Sequence, residues 1–202
     1  MIFPTSLDEY EKILIQDIDP SRLPHTEDPE YATLAVKLIK SSVYRPFMRR
    51  RLIKRMIRRL TAGGFLRNVR VRFPLFSKSG AYMRDSGTLT LPMRLLTSQR
   101  GDTVFKLLMH EAAHLLLSKS DGYSKLLSLD KQFFWAHGRD RDEIIILSPV
   151  ELYATRVSVA LMSSVMQSAR DGSAEMLIEK QISLEIKKLE HEKNIFLKET
   201  RE

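Results

Sequence analysis

The chain has no cysteine among its 202 residues. Disulfides and thiolate metal ligands are therefore excluded, and any metal must be held by His, Asp, Glu or water. The same absence fits a reducing, cytoplasmic setting. Long apolar runs are missing as well. Ile144–Leu147 is typical of those present, far short of the roughly 18 residues that span a bilayer. The N-terminus, MIFPTSLDEYEK, lacks a basic segment followed by an apolar core, so no secretory signal is expected. Internal repeats and low-complexity tracts are not evident. The length suits one sizeable core.

Acidic residues are missing from one long stretch. None occurs between Glu30 and Asp85, and the 54 residues from 31 to 84 hold 15 of the 33 Lys and Arg. The remainder carries 18 basic against 25 acidic residues, so the net charge of +8 resides in this block. The first 30 residues carry eight acids and two bases. The charge order is acidic, basic, then mildly acidic.

What is present reads mainly as helix. Ser6 and Glu9 form a capping-box pattern that opens a helix to about Ile15. Asp28-Pro29 suits an N-cap followed by proline at the first helical position, for a helix towards Lys40. In YRPFMRRRLIKRMIRRL, Met48, Leu52, Ile53, Met56, Ile57 and Leu60 keep helical spacing, giving a strongly basic amphipathic helix that Gly63-Gly64 ends. NVRVRFPLF alternates like a half-buried strand, and Pro74 marks an edge or an end. AYMR and TLTLP around Asp85-Ser86-Gly87 predict a hairpin. Asp102 is expected to cap a helix running to about Lys119. Further helices are expected over Tyr123–Phe134, for about 20 residues from Ser148-Pro149, and from Ala174 towards Lys198 after a break at Gly172-Ser173. EIIIL reads as a short buried strand. The organisation expected is a helical region over residues 1–66, a core over 67–170 and a C-terminal helix over 171–202.

The chemistry concentrates in KLLMHEAAHLLLSK. His110 and His114 are four residues apart, about 400° of helical rotation and roughly 6 Å of rise, so their imidazoles leave one face a turn apart. Two such nitrogens can share one Zn²⁺ at about 2.0–2.1 Å. Glu111 lies about 100° further round, badly placed as a ligand but able to reach water beside the metal and act as general base. Leu107, Leu108, Ala112, Ala113 and Leu115–Leu117 make the helix apolar on nearly all sides and imply burial. Buried ionisable groups without partners cost several kcal/mol, about 2–7 for a polar group. A metal would satisfy both histidines.

HEAAH resembles the signature of zincin metallopeptidases, and AYMRDSGTLTLP precedes it as the edge strand does in that family. The resemblance covers roughly residues 68–165. It implies an α+β fold with a small mixed or antiparallel sheet over the HExxH helix, one zinc ion per chain, and hydrolysis of a peptide or protein substrate. An extended peptide could add to the edge strand. Metzincins place Gly and His three and six positions after the second histidine, where this chain has Leu117 and Ser120. The gluzincin type instead takes a downstream glutamate in E-x-x-A, which Glu151-Leu152-Tyr153-Ala154 matches 37 positions after His114. Ser148 and Glu151 also form a capping box with Pro149, which would explain Glu151 without a metal. His137, Asp140, Asp142 and Glu143 are alternative third ligands. For oxyanion stabilisation the resemblance offers Tyr153, Arg156, His137 and Tyr123.

Two segments stand outside this reading. Arg45, Arg49, Arg50, Arg51, Lys54, Arg55, Arg58 and Arg59 could line one helix face that meets nucleic acid or an acidic partner. A solvated face paired with the acidic first 30 residues is the preferred explanation. A catalytically silent zincin-fold protein that binds through segment 37–72 is the alternative to the enzyme. In the last helix, Ile178, Ile182, Ile186 and Leu189 suit bundle packing. A clamp over the cleft, with His191 and Glu192 near the metal, and dimer pairing are the other options.

Overall fold

The computed structural model describes residues 29–61, 69–76, 82–84, 87–118, 123–137 and 148–199. The expected first helix, the Gly63-Gly64 stop and the EIIIL strand lie outside these residues. The described elements in chain order are α1 (Pro29–Ile39), α2 (Pro46–Thr61), β1 (Arg70–Arg72), β2 (Tyr82–Arg84), β3 (Thr88–Thr90), α3 (Met93–Ser98), α4 (Gly101–Leu117), α5 (Tyr123–His137), α6 (Pro149–Ser168) and α7 (Gly172–Glu199). Among the described residues the protein is mostly helical with one small sheet, an α+β arrangement.

The sheet has the order β1-β3-β2 and is mixed. β2 and β3 form the expected antiparallel pair, with Met83 opposite Leu89. β1 joins the other side of β3 in parallel, with Val71 opposite Leu89. The central position of β3 explains its burial: Thr88, Leu89 and Thr90 are all buried, whereas Arg70 and Arg72 on the edge strand are exposed. Gly87 leads into β3 with φ +72°, a left-handed conformation that glycine adopts without a side-chain clash. The short helix α3, which the sequence reading did not anticipate, follows Pro92 directly.

Helix α4 lies at the centre. It packs against α1, α6 and α7, and β2 rests on it. The leucine-rich composition sets this position: Val104, Phe105, Leu108, Met109, Ala112, Ala113, Leu115, Leu116 and Leu117 are all buried. Each large side chain contributes about 1.5–3 kcal/mol of transfer free energy. Gly101 begins α4 where the C-terminal end of α1 passes closest. A methyl group there would overlap the carbonyl oxygens of Leu38 and Ile39.

Asp102 does not cap α4. The N-cap is Arg100, without a side-chain hydrogen bond, and Asp102 sits inside the first turn. Its buried carboxylate accepts from Gln181 Nε2 on α7 at 3.0 Å and from Arg100 Nε at 3.2 Å. One turn on, Lys106 Nζ meets the buried Glu185 carboxylate at 2.8 Å. Contacts at positions 102 and 106 with 181 and 185 mean that α7 runs beside α4 in the same direction. The break before α7 falls one or two residues earlier than Gly172-Ser173. Asp171 makes it, accepting from Ala174 N at 3.2 Å and from Lys40 Nζ at 2.6 Å.

Arg49 corrects the reading of α2 as a helix with all its arginines on one solvent face. Its side chain is fully buried. The guanidinium donates to Ser41 Oγ at 2.8 Å and to the carbonyls of Ser41, Leu96 and Gln99 at 2.5, 2.8 and 2.7 Å. It lies on the apolar face with Leu52, Ile53, Met56, Ile57 and Leu60, at helical spacings of three, four, seven, eight and eleven.

Candidate metal centre

The leucines bury α4, and its i, i+4 spacing turns His110 and His114 towards the same neighbour. Their rings are nearly perpendicular, at 86°, with centroids 4.8 Å apart. The Nε2 atoms stand 3.2 Å apart. That neighbour is the first turn of α6. Ser148 caps it and accepts a hydrogen bond from Glu151 N at 3.4 Å. This is the serine half of the capping box. The Glu151 carboxylate faces the histidines, with Oε2 3.1 Å from His110 Nε2 and Oε1 3.3 Å from His114 Nε2. Both Ala154 on α6 and Ala113 on α4 are fully buried, consistent with the close packing of these helices.

The triangle of contacts at 3.1, 3.2 and 3.3 Å, in which Glu151 meets each histidine through a different oxygen, cannot be three simultaneous hydrogen bonds. Two Nε2 atoms carry at most two protons. If both go to the carboxylate, the contact between the imidazoles has no acceptor. Three lone pairs aimed at one cation would resolve the conflict. Tetrahedral ligands about 2.0–2.1 Å from one Zn²⁺ stand about 3.3 Å from each other, close to the separation of the two Nε2 atoms and of each from its nearest Glu151 oxygen. Nitrogen, nitrogen and carboxylate oxygen form an ordinary zinc donor set. Among the described residues, this is the one group of three or more His, Asp or Glu side chains whose donor atoms gather within 4.8 Å. The His110, His114 and Glu151 side chains retain 19, 16 and 33 % exposure, so the group borders solvent instead of being sealed in the core.

The electrostatics follow from burial and proximity. Burial alone would raise the Glu151 pKa, but the contacts with His110 and His114 outweigh it and hold the carboxyl well below its usual range. For His114, burial disfavours the cation, yet Glu151, Glu111 and Asp130 together raise its pKa. Glu111 is buried and does not join the triangle. Desolvation raises its pKa, the histidines partly oppose that, and Glu151 adds to it. Glu111 is therefore a stronger proton acceptor than an ordinary surface carboxylate.

Among the described residues no other His, Asp or Glu joins this group. Tyr153 and Arg156 are half-buried on α6. They lie about 200° and 140° around the helix from Glu151, on other faces. Tyr123, also half-buried, opens α5. His137 ends α5, and its side chain lies outside the described residues, as do Asp140, Asp142 and Glu143. His191 is exposed, and the Glu192 side chain lies outside the described residues. Asp130 on α5 is a residue that the sequence reading missed. It accepts from Val150 N at 3.3 Å, at the start of the turn that carries Glu151, and it acts on His114. Its one sequence signal is that it is the single acid of helix α5.

No protein-family model, curated protein or solved structure matches the chain.

Proposed function

We propose that the chain is a zinc-dependent peptidase of the gluzincin type, working in the cytoplasm. The observation that carries this reading is the convergence of His110, His114 and Glu151 beside a buried Glu111. His110 Nε2, His114 Nε2 and a Glu151 oxygen would hold the ion. Bound zinc supplies Lewis acidity, polarising a carbonyl oxygen and acidifying water. Glu111 takes the proton from the attacking water at its carboxylate and delivers it to the departing amide nitrogen. Its raised pKa suits it to both tasks.

Substrate placement draws on the sheet. Among the described residues β2 has β3 as its one partner strand, and it rests on α4. An extended peptide could pair with the other edge of β2, beside the helix that carries the histidines. A zincin fold is the finer description we propose for the α+β core.

The test is metal analysis together with hydrolysis of an unstructured protein such as casein. The expected result is one zinc per chain and zinc-dependent cleavage. Glu111→Gln should retain the zinc and lose at least about 10²-fold in rate. A purified chain that takes up no zinc overturns the reading, as does a Glu111→Gln variant that still cleaves at the wild-type rate.

A further inference from the structure

The fold gives α2 an apolar face and an arginine face, and the second is unaccounted for. Leu52, Ile53, Met56, Ile57 and Leu60 are buried in the core. Arg51 and Arg55, one turn apart on the other side, are exposed, and Arg50 and Lys54 flank them half-buried. Arg45 is exposed just before the helix. The Arg50 guanidinium lies over the Phe73 ring, 5.3 Å from its centroid. Phe73 follows β1, whose Arg70 and Arg72 alternate outwards on one side of the strand. The cation–π contact holds Arg50 against the half-buried side of this strand, and Arg70 and Arg72 point from the other side.

Among the described residues, little on the neighbouring elements neutralises this surface. Glu30 is the one acid in α1 and α3, which pack against α2. It pairs with Arg59, at the far end of α2. Clustered like charges repel one another, and mixed signs are the usual composition of a plain solvated face. The bases here are arginines with one exception, Lys54. Arginine offers planar, bidentate donors that match phosphate oxygens. Tyr44 and Phe47, 91 and 70 % exposed, stand at one end of the surface, and Phe76, 99 % exposed, follows β1. Exposed rings beside arginines provide stacking platforms for bases. An anionic membrane is disfavoured, because a surface-binding helix inserts its apolar face, and that of α2 is occupied by the core.

We propose that the arginine face of α2, with Arg45 before it, binds the phosphate backbone of nucleic acid. It does so independently of the metal centre, because none of its residues belongs to that centre.

The experiment uses the full chain and a fluorescein-labelled mixed-sequence single-stranded 30-mer, read by anisotropy across a salt series. Binding should weaken as salt rises, with log K falling by about 0.7 per phosphate contacted for each unit of log salt. The triple variant Arg45→Ala, Arg51→Ala, Arg55→Ala should bind at least tenfold more weakly. Its salt slope should be shallower by about 2. These are exposed positions, and an unchanged thermal midpoint would verify that the variant is folded. His110→Ala should bind as the wild type does. The proposal is overturned if the folded triple variant binds as tightly as the wild type. It is also overturned if the chain sediments with phosphatidylserine vesicles but does not bind the oligonucleotide.

Discussion

Gln181 Nε2 donates to Asp102 Oδ2 across 3.0 Å, and both side chains are buried. This contact ties the C-terminal helix to the first turn of the helix that carries both histidines. Gln181→Leu would remove the donor and leave the carboxylate with Arg100, whose side chain is 67 % exposed. Losing a hydrogen bond to a charged group costs about 1.5–3 kcal/mol. Urea unfolding should show a loss of that size, and a loss below about 0.5 kcal/mol would assign the docking of α7 to its apolar contacts.

Gly101 and Gly87 should respond differently to alanine. At Gly101 the added methyl meets the backbone of α1, which has no flexible side chain to yield. Gly101→Ala should therefore cost about 1–3 kcal/mol as α1 and α4 are forced apart. Gly87 has open space around it but φ +72°. Gly87→Ala should cost about 1 kcal/mol from backbone strain. Matched denaturation curves compare the two, and equal losses would contradict the steric explanation.

Zinc should stabilise the folded chain by linkage. At a free concentration 100 times Kd the gain is about 2.7 kcal/mol, and a strong chelator should remove it. Glu151→Ala should reduce or abolish this zinc-dependent thermal shift. Ser148→Ala should keep the shift while losing about 1 kcal/mol of basal stability with the N-cap. A Glu151→Ala variant with an undiminished shift would show that the carboxylate serves the helix and not the ion.

Asp130 should act through the elements it holds. Asp130→Ala removes the acceptor for Val150 N and a negative charge that acts on His114. Zinc affinity should fall about tenfold, as it does when groups that orient ligands are lost. Competition with a chromogenic chelator measures this. Unchanged affinity would confine Asp130 to a structural part.

Acid should weaken one surface contact in a defined window. The hydrogen bonds from Lys40, Ser173 and the Ala174 N–H lower the Asp171 pKa from 3.8 to about 2. A carboxyl depressed in the folded state contributes stability above its unfolded pKa and loses it as pH falls towards the folded one. The contribution should therefore be complete above pH 5 or so and disappear on approach to about pH 2. Asp171→Asn should flatten this part of the plot of thermal midpoint against pH. A variant with the same acid limb as the wild type would exclude Asp171 as a source of it.

The spacing HEAAH and the leucines around it were sufficient to place two imidazoles on one face of a buried helix. Local periodicity determines both features. The hairpin of β2 and β3 was legible for the same reason, since alternation and a turn signal lie within a few residues. The parallel partner β1 was read as a strand without its pairing, because a crossover leaves no local mark. Arg49 was misplaced although the pattern was available: counted from Leu52 and Ile53, it falls on the apolar stripe. Charge suggested solvent, whereas buried carbonyls of Ser41, Leu96 and Gln99 supplied the partners.

By itself, then, the sequence determined the cysteine-free donor set, the i, i+4 histidine pair, the two-faced α2 and the capping signal at Ser148. Each depends on residues within about one or two turns of one another. Tertiary structure decided where the Glu151 side chain goes. The capping box gave it a local partner, and only the packing of α6 against α4 brings its carboxylate to 3.1 Å from His110 and 3.3 Å from His114. It also decided that Asp102 binds Gln181 instead of capping its own helix. In both cases a side chain had a short-range option and a partner distant in the chain. Burial strengthens the distant contact, because a low-dielectric setting raises the cost of leaving those carboxylates unpaired.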